Sequence, residues 1–164
     1  MLNKIWGLIA KFCAIPAVAE WLIRRSQKRP YTHIYGKDGS LYMGRWWLFN
    51  PYPWPEGSKS NWFPISIRIH HIMRADLDRH LHDHPWNART IIIKGGYAEL
   101  RLGGVRFFRR PGDTARLNFG EYHRITYVEP EGAWTIFITG KYQGTWGFLV
   151  NGAKVKWRTY LGIK

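Results

Sequence analysis

Residues 78–86 have the sequence DRHLHDHPW, in which three of the chain's seven histidines fall at alternate positions, 80, 82 and 84. Side chains two residues apart lie on the same face of an extended strand. Two imidazoles in this arrangement can bind one metal ion at about 2.0–2.1 Å if another strand supplies a third ligand. His123 is the candidate for that ligand, and the alternative is a histidine-rich surface strand without a resident metal. The spacing alone leaves both alternatives open.

The sequence on either side of this run predicts an all-β domain. Beyond Pro30, turn signals recur about every ten residues, as in antiparallel sandwiches and barrels. Isoleucines alternate with polar residues over 65–70, which is typical of a strand with one dry face. Gly103-Gly104 and Asn151-Gly152 are two-residue hairpin signals. Gly95-Gly96 is expected to end a strand where the chain reverses, and the proline-rich stretch 50–57 predicts a loop.

The first 29 residues differ in composition from the rest of the chain. Residues 5–23 are mostly apolar, but Lys11 interrupts them, and a lysine at the centre of a membrane span costs about 2.5–3.5 kcal/mol. We therefore expect neither a span nor a cleaved signal peptide. The cations at 24–29 are expected at a solvated helix end, not on a membrane surface. Apolar residues at helical spacing predict an amphipathic helix that covers a sheet: Ile5, Leu8, Ile9, Phe12 and Cys13.

Composition restricts the kind of site and the kind of partner. The 164 residues include 25 Lys and Arg against 11 Asp and Glu, a formal charge of +14, which favours acidic partners. A single cysteine, Cys13, excludes an internal disulfide, a Cys-based zinc site and an iron–sulfur cluster. An internal metal site therefore needs His and carboxylate ligands. A hydrophobic fraction of 45% excludes a disordered basic tail.

The histidine run resembles the first motif of the cupin superfamily, G-x5-H-x-H-x3,4-E-x6-G. His82, His84 and Gly95 match this motif at its spacing. Asp76 and Ala88 stand at its first Gly and at its Glu. The Glu is usually a metal ligand in the family, and an alanine cannot replace it.

A stretch farther along the chain resembles the second cupin motif, G-x5-P-x-G-x2-H-x3-N. Gly112, Gly120 and His123 match this motif, whereas Asn118 and Tyr127 replace its Pro and its Asn. The two motifs occur in the family's order. Residues 42–47 and 146–148 also resemble small cupins from phage and bacterial genomes.

The resemblance covers residues 76–127 and implies a cupin-type β-barrel, also called a double-stranded β-helix or jelly roll. With an N-terminal helical segment at residues 1–29, the barrel is expected to occupy residues 30–164 as a single domain. The implied metal ligands are His82, His84 and His123, a set similar to that of thiol dioxygenases, which hold Fe(II). Fe(II) is the preferred ion, with Zn, Mn and Ni as alternatives. Glu99 is considered as a fourth ligand, and its alternative is a pairing with Arg101 or Arg106.

Four further side chains are candidates for contact with the substrate. Trp86 follows the histidine pair, Arg89 follows the position of the missing motif Glu, Tyr97 follows the glycine pair, and Arg124 adjoins His123. An arginine near a divalent cation implies an anionic group between them. For both arginines the alternative is an outward position on the surface.

These features favour a metal-dependent enzyme acting on a small anionic molecule, with a non-haem iron dioxygenase as the leading class. The alternatives are a non-enzymatic binding module for a sugar, nucleotide or nucleic acid, and a phage interaction protein. Nucleic acid is considered because arginines alternate with aromatic residues over 106–124. A homodimer stays open, and we expect a cytoplasmic location, in the host if the protein is phage-encoded.

Overall fold

The computed structural model of the protein describes residues 2–36, 38–52 and 63–163, so the loop expected at 50–57 falls mostly outside the described residues. Within these ranges the chain forms two N-terminal helices, nine strands and one short C-terminal helix. The elements are α1 (Leu2–Cys13), α2 (Pro16–Gln27), β1 (Ile34–Tyr35), β2 (Leu41–Phe49), β3 (Ser66–Ile72), β4 (Trp86–Arg101), β5 (Arg106–Arg109), β6 (Thr114–Leu117), β7 (His123–Tyr142), β8 (Gly147–Val150), β9 (Ala153–Lys156) and α3 (Trp157–Leu161).

The strands form an antiparallel sheet in the order β1-β2-β3-β7-β4-β5, with β6 also paired to β4, and β8 and β9 form a separate hairpin. The prediction of an all-β fold with an N-terminal helical segment is confirmed. β4 and β7 pair over nearly their whole lengths, and the pairing shifts register at four points. Such bulges bend and twist a strand pair. The bends curve the sheet, so that one face is outer and the other is inner.

The outer face of the sheet packs against the two N-terminal helices. Ile69, Ile91 and Ile136 form one hydrophobic cluster there with residues of α1 and α2. The isoleucine face of β3 is therefore dry, as expected. The polar residues that alternate with it are also buried, because Arg68 is 2% exposed and His70 is 8% exposed. The alternation alone predicts that this second face is exposed to solvent. In the structure it is instead the inner face of the sheet, and it lines an interior with polar side chains.

The helical segment is confirmed, but of the five residues predicted to form its buried face only Cys13 packs against the sheet. Trp6, Ala10 and Cys13 pack against the sheet, because the methyl group of Ala10 lets the helix come close. The other four residues expected to cover the sheet are exposed instead: Ile5, Leu8, Ile9 and Phe12.

The N-terminal segment forms two helices and not one, because Pro16 opens α2. Proline is tolerated in the first turn of a helix but not in its interior. Among the described helices, none is long and apolar enough by itself to cross a membrane. Asn3–Cys13 and Pro16–Gln27 meet that criterion only together, as a pair bent by 82°.

Gly95 does not end a strand, because β4 continues through it to Arg101. Gly95 has a φ of 65°, and a Cβ atom at this position would lie 2.0 Å from the carbonyl oxygen of Gly132. Glycine is required there by a left-handed backbone and a close strand approach. Both predicted hairpins are present. Asn151-Gly152 joins β8 to β9 as a two-residue turn, whereas Gly103-Gly104 belongs to a longer turn, Leu102–Gly104, between β4 and β5.

Candidate metal centre

The structure brings three histidines from two parts of the chain into one cluster. The ligand nitrogens of His82, His84 and His123 all lie within 4.8 Å of one another. Nε2 of His84 is 3.0 Å from Nε2 of His123. Ligands bound at about 2.0–2.1 Å to one ion are separated by about 3 Å. The donor set therefore fits a single divalent ion.

The first two histidines lie in an extended segment between β3 and β4, so the expectation that they belong to a regular strand is wrong. His82 makes only isolated bridges, in which its backbone N–H donates to His123 and the N–H of His123 donates back, both at 2.9 Å. The intervening Asp83 is fully buried and points the other way. It accepts hydrogen bonds from the backbone N–H of Gly147 at 2.8 Å and from Lys154 at 2.6 Å. Asp83 thus fixes the alternation that directs both imidazoles into the interior.

His82 and His84 are neutral in the metal-free protein. Burial and the neighbouring imidazole of His123 lower the pKa of His82 to about 4, although Asp76 opposes this change. Burial and the neighbouring imidazoles of His123 and His82 place the pKa of His84 well below its ordinary value. Metal ions bind the neutral imidazole. His82 and His84 are therefore in their ligand form at neutral pH.

Glu99 lies behind His123 and is not part of the three-histidine group. Its Oε2 is 3.4 Å from Nδ1 of His123, whereas Nε2 of the same ring faces His84. Arg109 Nε donates to Glu99 at 2.8 Å, and Arg101 donates at 3.2 Å. Burial alone would raise the pKa of Glu99, but the adjacent His123 ring and the charge of Arg109 lower it to about 2. An ionised carboxylate at this place orients the imidazole.

Asp76 has a similar place behind His82. Its Oδ2 is 3.8 Å from Nδ1 of His82 and accepts a hydrogen bond from the backbone N–H of Ile125 at 2.8 Å. The hydroxyl of Tyr42 donates to the other carboxylate oxygen. The sequence identified Asp76 only as a departure from the motif glycine, and its contact with a ligand ring was missed.

The two arginines proposed as substrate contacts interact with residues outside the histidine cluster. Arg89 stands over the ring of Trp6 at 4.7 Å and donates to Thr114 Oγ1 at 3.2 Å, against the helical layer. Arg124 donates to the carbonyl oxygens of residues 78 and 79, both at 3.0 Å. Both guanidinium groups therefore contact other parts of the protein.

Tyr97 and Trp86 are buried. Tyr97 packs in a hydrophobic cluster with Ile92, and burial raises the pKa of its hydroxyl. Trp86 packs with Phe137, and the guanidinium of Arg68 lies 5.1 Å from its ring centroid. The ring centroid of Phe137 is 5.6 Å from that of His84. Of the four candidates, Trp86 is the one that these contacts connect to the histidine cluster.

Two buried residues of this interior, Arg68 and His70, were missed as site candidates. The ring of His70 lies 4.9 Å from that of Phe137, and the pKa of His70 is well below its ordinary value because of burial and the charge of Arg68. The available signal was the alternation in residues 65–70. That alternation shows which residues share a face, and only the structure shows that both faces are covered.

No protein-family model and no curated protein sequence matches the chain. The DMSP lyase DddQ from Ruegeria pomeroyi DSS-3 is similar in structure, with a TM-score of 0.57, 17% identity, and 87% of this chain and 68% of that chain covered. The FeII form of HppE gives a TM-score of 0.51 and 10% identity, over 70% of this chain and 57% of that chain. A cupin 2 conserved barrel domain protein from Rhodopseudomonas palustris gives a TM-score of 0.49 and 13% identity, over 75% and 77% of the two chains. At these identities the similarity concerns the fold, and the chain has a cupin-type fold.

Proposed function

We propose that the protein is a metal-dependent enzyme that acts on a small anionic molecule, and that its reaction is an Fe(II)-dependent dioxygenation. The ligands are His82, His84 and His123. The observation that supports this proposal is the convergence of three imidazoles, whose ligand nitrogens lie within 4.8 Å of one another. Structural metal sites usually have four protein ligands, whereas catalytic sites leave a position for water or substrate. A three-ligand set favours the second kind.

The residues around the histidines have distinct roles in this proposal. Glu99 and Asp76 hold two of the imidazole rings in position from behind. The rings of Trp146 and Phe148 lie 6.2 and 6.0 Å from that of His82 and exclude water from one side. A bound divalent ion would supply Lewis-acid or redox chemistry at this point.

The charge of the site favours an anionic substrate. Three neutral ligands leave the full charge of a divalent ion uncompensated. Arg68 and Arg45 lie on the same face of neighbouring strands, opposite Phe137 and His70. Both add positive charge to the interior. An anion is attracted to this interior, and a cationic substrate is repelled.

The choice of iron is supported by the chemistry of the site and by the FeII structure of HppE, which shares the fold. Imidazole ligands also suit Zn and Ni, and Mn is the third alternative that the sequence leaves open. These ions remain the alternatives to be compared by reconstitution.

Oxygen uptake by the Fe(II)-loaded protein tests the proposal. The protein is loaded anaerobically and assayed with a panel of small carboxylates, phosphates and thiols. We expect uptake that depends on one class of substrate, is lost in His84→Ala and is retained in His80→Ala. His80 hydrogen bonds to Tyr160 and lies outside the three-histidine group. The assay is repeated with Zn, Mn and Ni in place of Fe(II). If the protein binds one of the small molecules but turns it over with none of the four metals, the binding-module alternative is supported instead.

A further inference from the structure

We infer that Arg68 is the binding site for the carboxylate of a small organic acid. Arg68 lies in the middle of β3, opposite Phe137 on β7 and Trp47 on β2. It is 2% exposed and belongs to the inner face of the sheet. The inference rests on the proposed function only in taking the bound acid to be the substrate of the metal site. The binding of a carboxylate by Arg68 itself requires no metal.

The guanidinium of Arg68 has unused hydrogen-bond donors. Its Nε and Nη2 are buried and have no hydrogen-bond partner among the described residues. The hydroxyl of Tyr31 accepts a hydrogen bond from the group. No carboxylate of the described ranges lies within 4 Å of Arg68, although Arg109 and Lys154 each have one. A buried charge without a counter-charge is costly, so its presence indicates a partner that arrives from outside.

The two free donors define the shape of that partner. Nε–H and Nη2–H lie on one edge of the planar guanidinium and point in parallel. A carboxylate accepts both hydrogen bonds at once in this geometry. Four aromatic rings hold the guanidinium in place, with its Cζ at 5.1–5.6 Å from their centroids: Tyr31, Trp47, Trp86 and Phe137.

The carboxylate site adjoins the histidine cluster. Arg68 Cζ and the ring of His84 are each 5.6 Å from the centroid of Phe137. A divalent ion and a guanidinium repel each other, and an anion between them removes that repulsion. The substrate class is therefore a short organic acid whose reacting group lies a few bonds from its carboxylate.

The test uses metal-free protein and sodium propionate as the probe, at constant ionic strength with chloride as the balancing salt. Calorimetric titration of the wild type should show saturable binding. We expect Arg68→Met to bind propionate at least tenfold more weakly, and Arg68→Lys, which keeps the charge without the parallel donors, to be weakened as well. Arg106→Met removes one exposed arginine and should bind as the wild type does.

Metal binding is measured on the same variants. Arg68→Met with normal metal stoichiometry and lost propionate binding supports the carboxylate site whatever the reaction proves to be. Equal propionate affinity in the wild type and both Arg68 variants would overturn the inference. Glu56 is the one acidic side chain outside the described residues. If propionate binds only to Glu56→Gln, Arg68 has an internal counter-ion, and the inference is also overturned.

A second inference rests on the exposed face of α1, which we propose docks the protein on an anionic lipid surface. Leu8 is 69% exposed, Phe12 61%, Ile5 47% and Ile9 38%. Their spacing of three and four residues places them in one stripe along the helix. The opposite side of α1 packs against the sheet through Ala10. The stripe is thus fixed in an outward orientation.

The helical segment that carries this stripe also carries exposed positive charge. Lys4 and Lys11 are exposed on α1, and Arg24 and Arg25 are exposed at the end of α2. Glu20 is the only acidic residue among residues 1–29, and it is bonded to Lys94 at 2.8 Å. An apolar helix face with flanking cations is the combination that binds anionic membranes. The sequence favoured a solvated helix end, and the exposure of the stripe is the observation that changes this interpretation.

Vesicle sedimentation tests the lipid surface as the partner. Wild-type protein should sediment with vesicles of phosphatidylcholine and phosphatidylglycerol, should sediment less at high salt, and should not sediment with phosphatidylcholine alone. The double variant Leu8→Ser/Phe12→Ser should lose binding. Leu77→Ser, in a loop residue that is 80% exposed, should keep it.

Two results would overturn this second inference. One is equal sedimentation of the wild type and the double variant. The other is absence of vesicle binding together with a dimer in solution that Leu8→Ser/Phe12→Ser abolishes, which would identify a second copy of the chain as the partner.

Discussion

Oε2 of Glu99 lies 3.4 Å from Nδ1 of His123, on the side of the ring opposite the nitrogen that faces His84. Arg109 and Arg101 hold the carboxylate in place from its other side. The orientation of this imidazole is therefore set by the protein before any ion binds. Carboxylates behind ligand histidines raise the basicity of the ring and fix its tautomer.

Glu99→Gln should keep the metal stoichiometry and weaken metal affinity by about 10–100-fold, because the amide orients the ring without supplying charge. Competition with a chelator measures the affinity. Glu121→Gln, at a carboxylate 3.7 Å from Arg101 and outside the histidine contacts, is the control and should bind as the wild type does. Complete loss of metal at saturating concentration would mean that Glu99 is itself a ligand.

The ion pair of Asp83 and Lys154 should respond unequally to the removal of each partner. Asp83 has no exposed surface, whereas the side chain of Lys154 is 29% exposed and can turn towards water. Lys154→Met leaves a buried carboxylate unpaired and should cost about 3–5 kcal/mol. Asp83→Asn retains an acceptor for Gly147 and should cost about 1–3 kcal/mol. Urea unfolding gives both values, and the reverse order would contradict the structural role of Asp83.

The metal-free protein should lose stability as the pH falls from about 6.5 towards 4. Burial lowers the pKa values of His70, His82 and His84, so these groups take up protons in the unfolded chain before they do so in the folded chain. The unfolded state therefore binds more protons in this window, and stability rises with pH.

His70→Leu tests this pH dependence without altering a member of the cluster. The variant removes one of the three histidines that take up a proton in the unfolded chain first. It should therefore reduce the loss of stability between pH 7 and pH 5 by about 2 kcal/mol. Urea unfolding at several pH values measures the slope. An unchanged slope would show that His70 does not contribute to it.

Gly95→Ala should destabilise the protein by more than about 2 kcal/mol, because the new Cβ would combine a positive φ with a contact 2.0 Å from Gly132. Gly103 has a φ of 82° and nothing within 4 Å of the corresponding Cβ position. Gly103→Ala is therefore the matched control and should cost about 1 kcal/mol. Thermal unfolding of both variants compares them, and equal costs would contradict the close approach of β4 and β7.

The histidine cluster could be predicted from the sequence because two of its members are two residues apart and the third follows in a motif of fixed spacing. The role of Arg68 could not be predicted from the sequence. Alternation in β3 shows which residues share a face, but the covering of that face by β2 and β7 depends on residues far along the chain. The same limit explains α1, where both the Ala10 side and the Leu8 side have helical spacing. Only the packing against the sheet shows that the smaller residue faces inward.

Metal stoichiometry of the wild type and of three single variants tests whether His82, His84 and His123 hold one ion. Each protein is reconstituted separately with Fe(II), Zn, Mn and Ni, and bound metal is measured after removal of the excess. We expect one ion per chain for the wild type. We expect that ion to be lost in His82→Ala, His84→Ala and His123→Ala. A folded wild type that binds none of the four ions, or variants that all retain full occupancy, would rule out the three-histidine metal site.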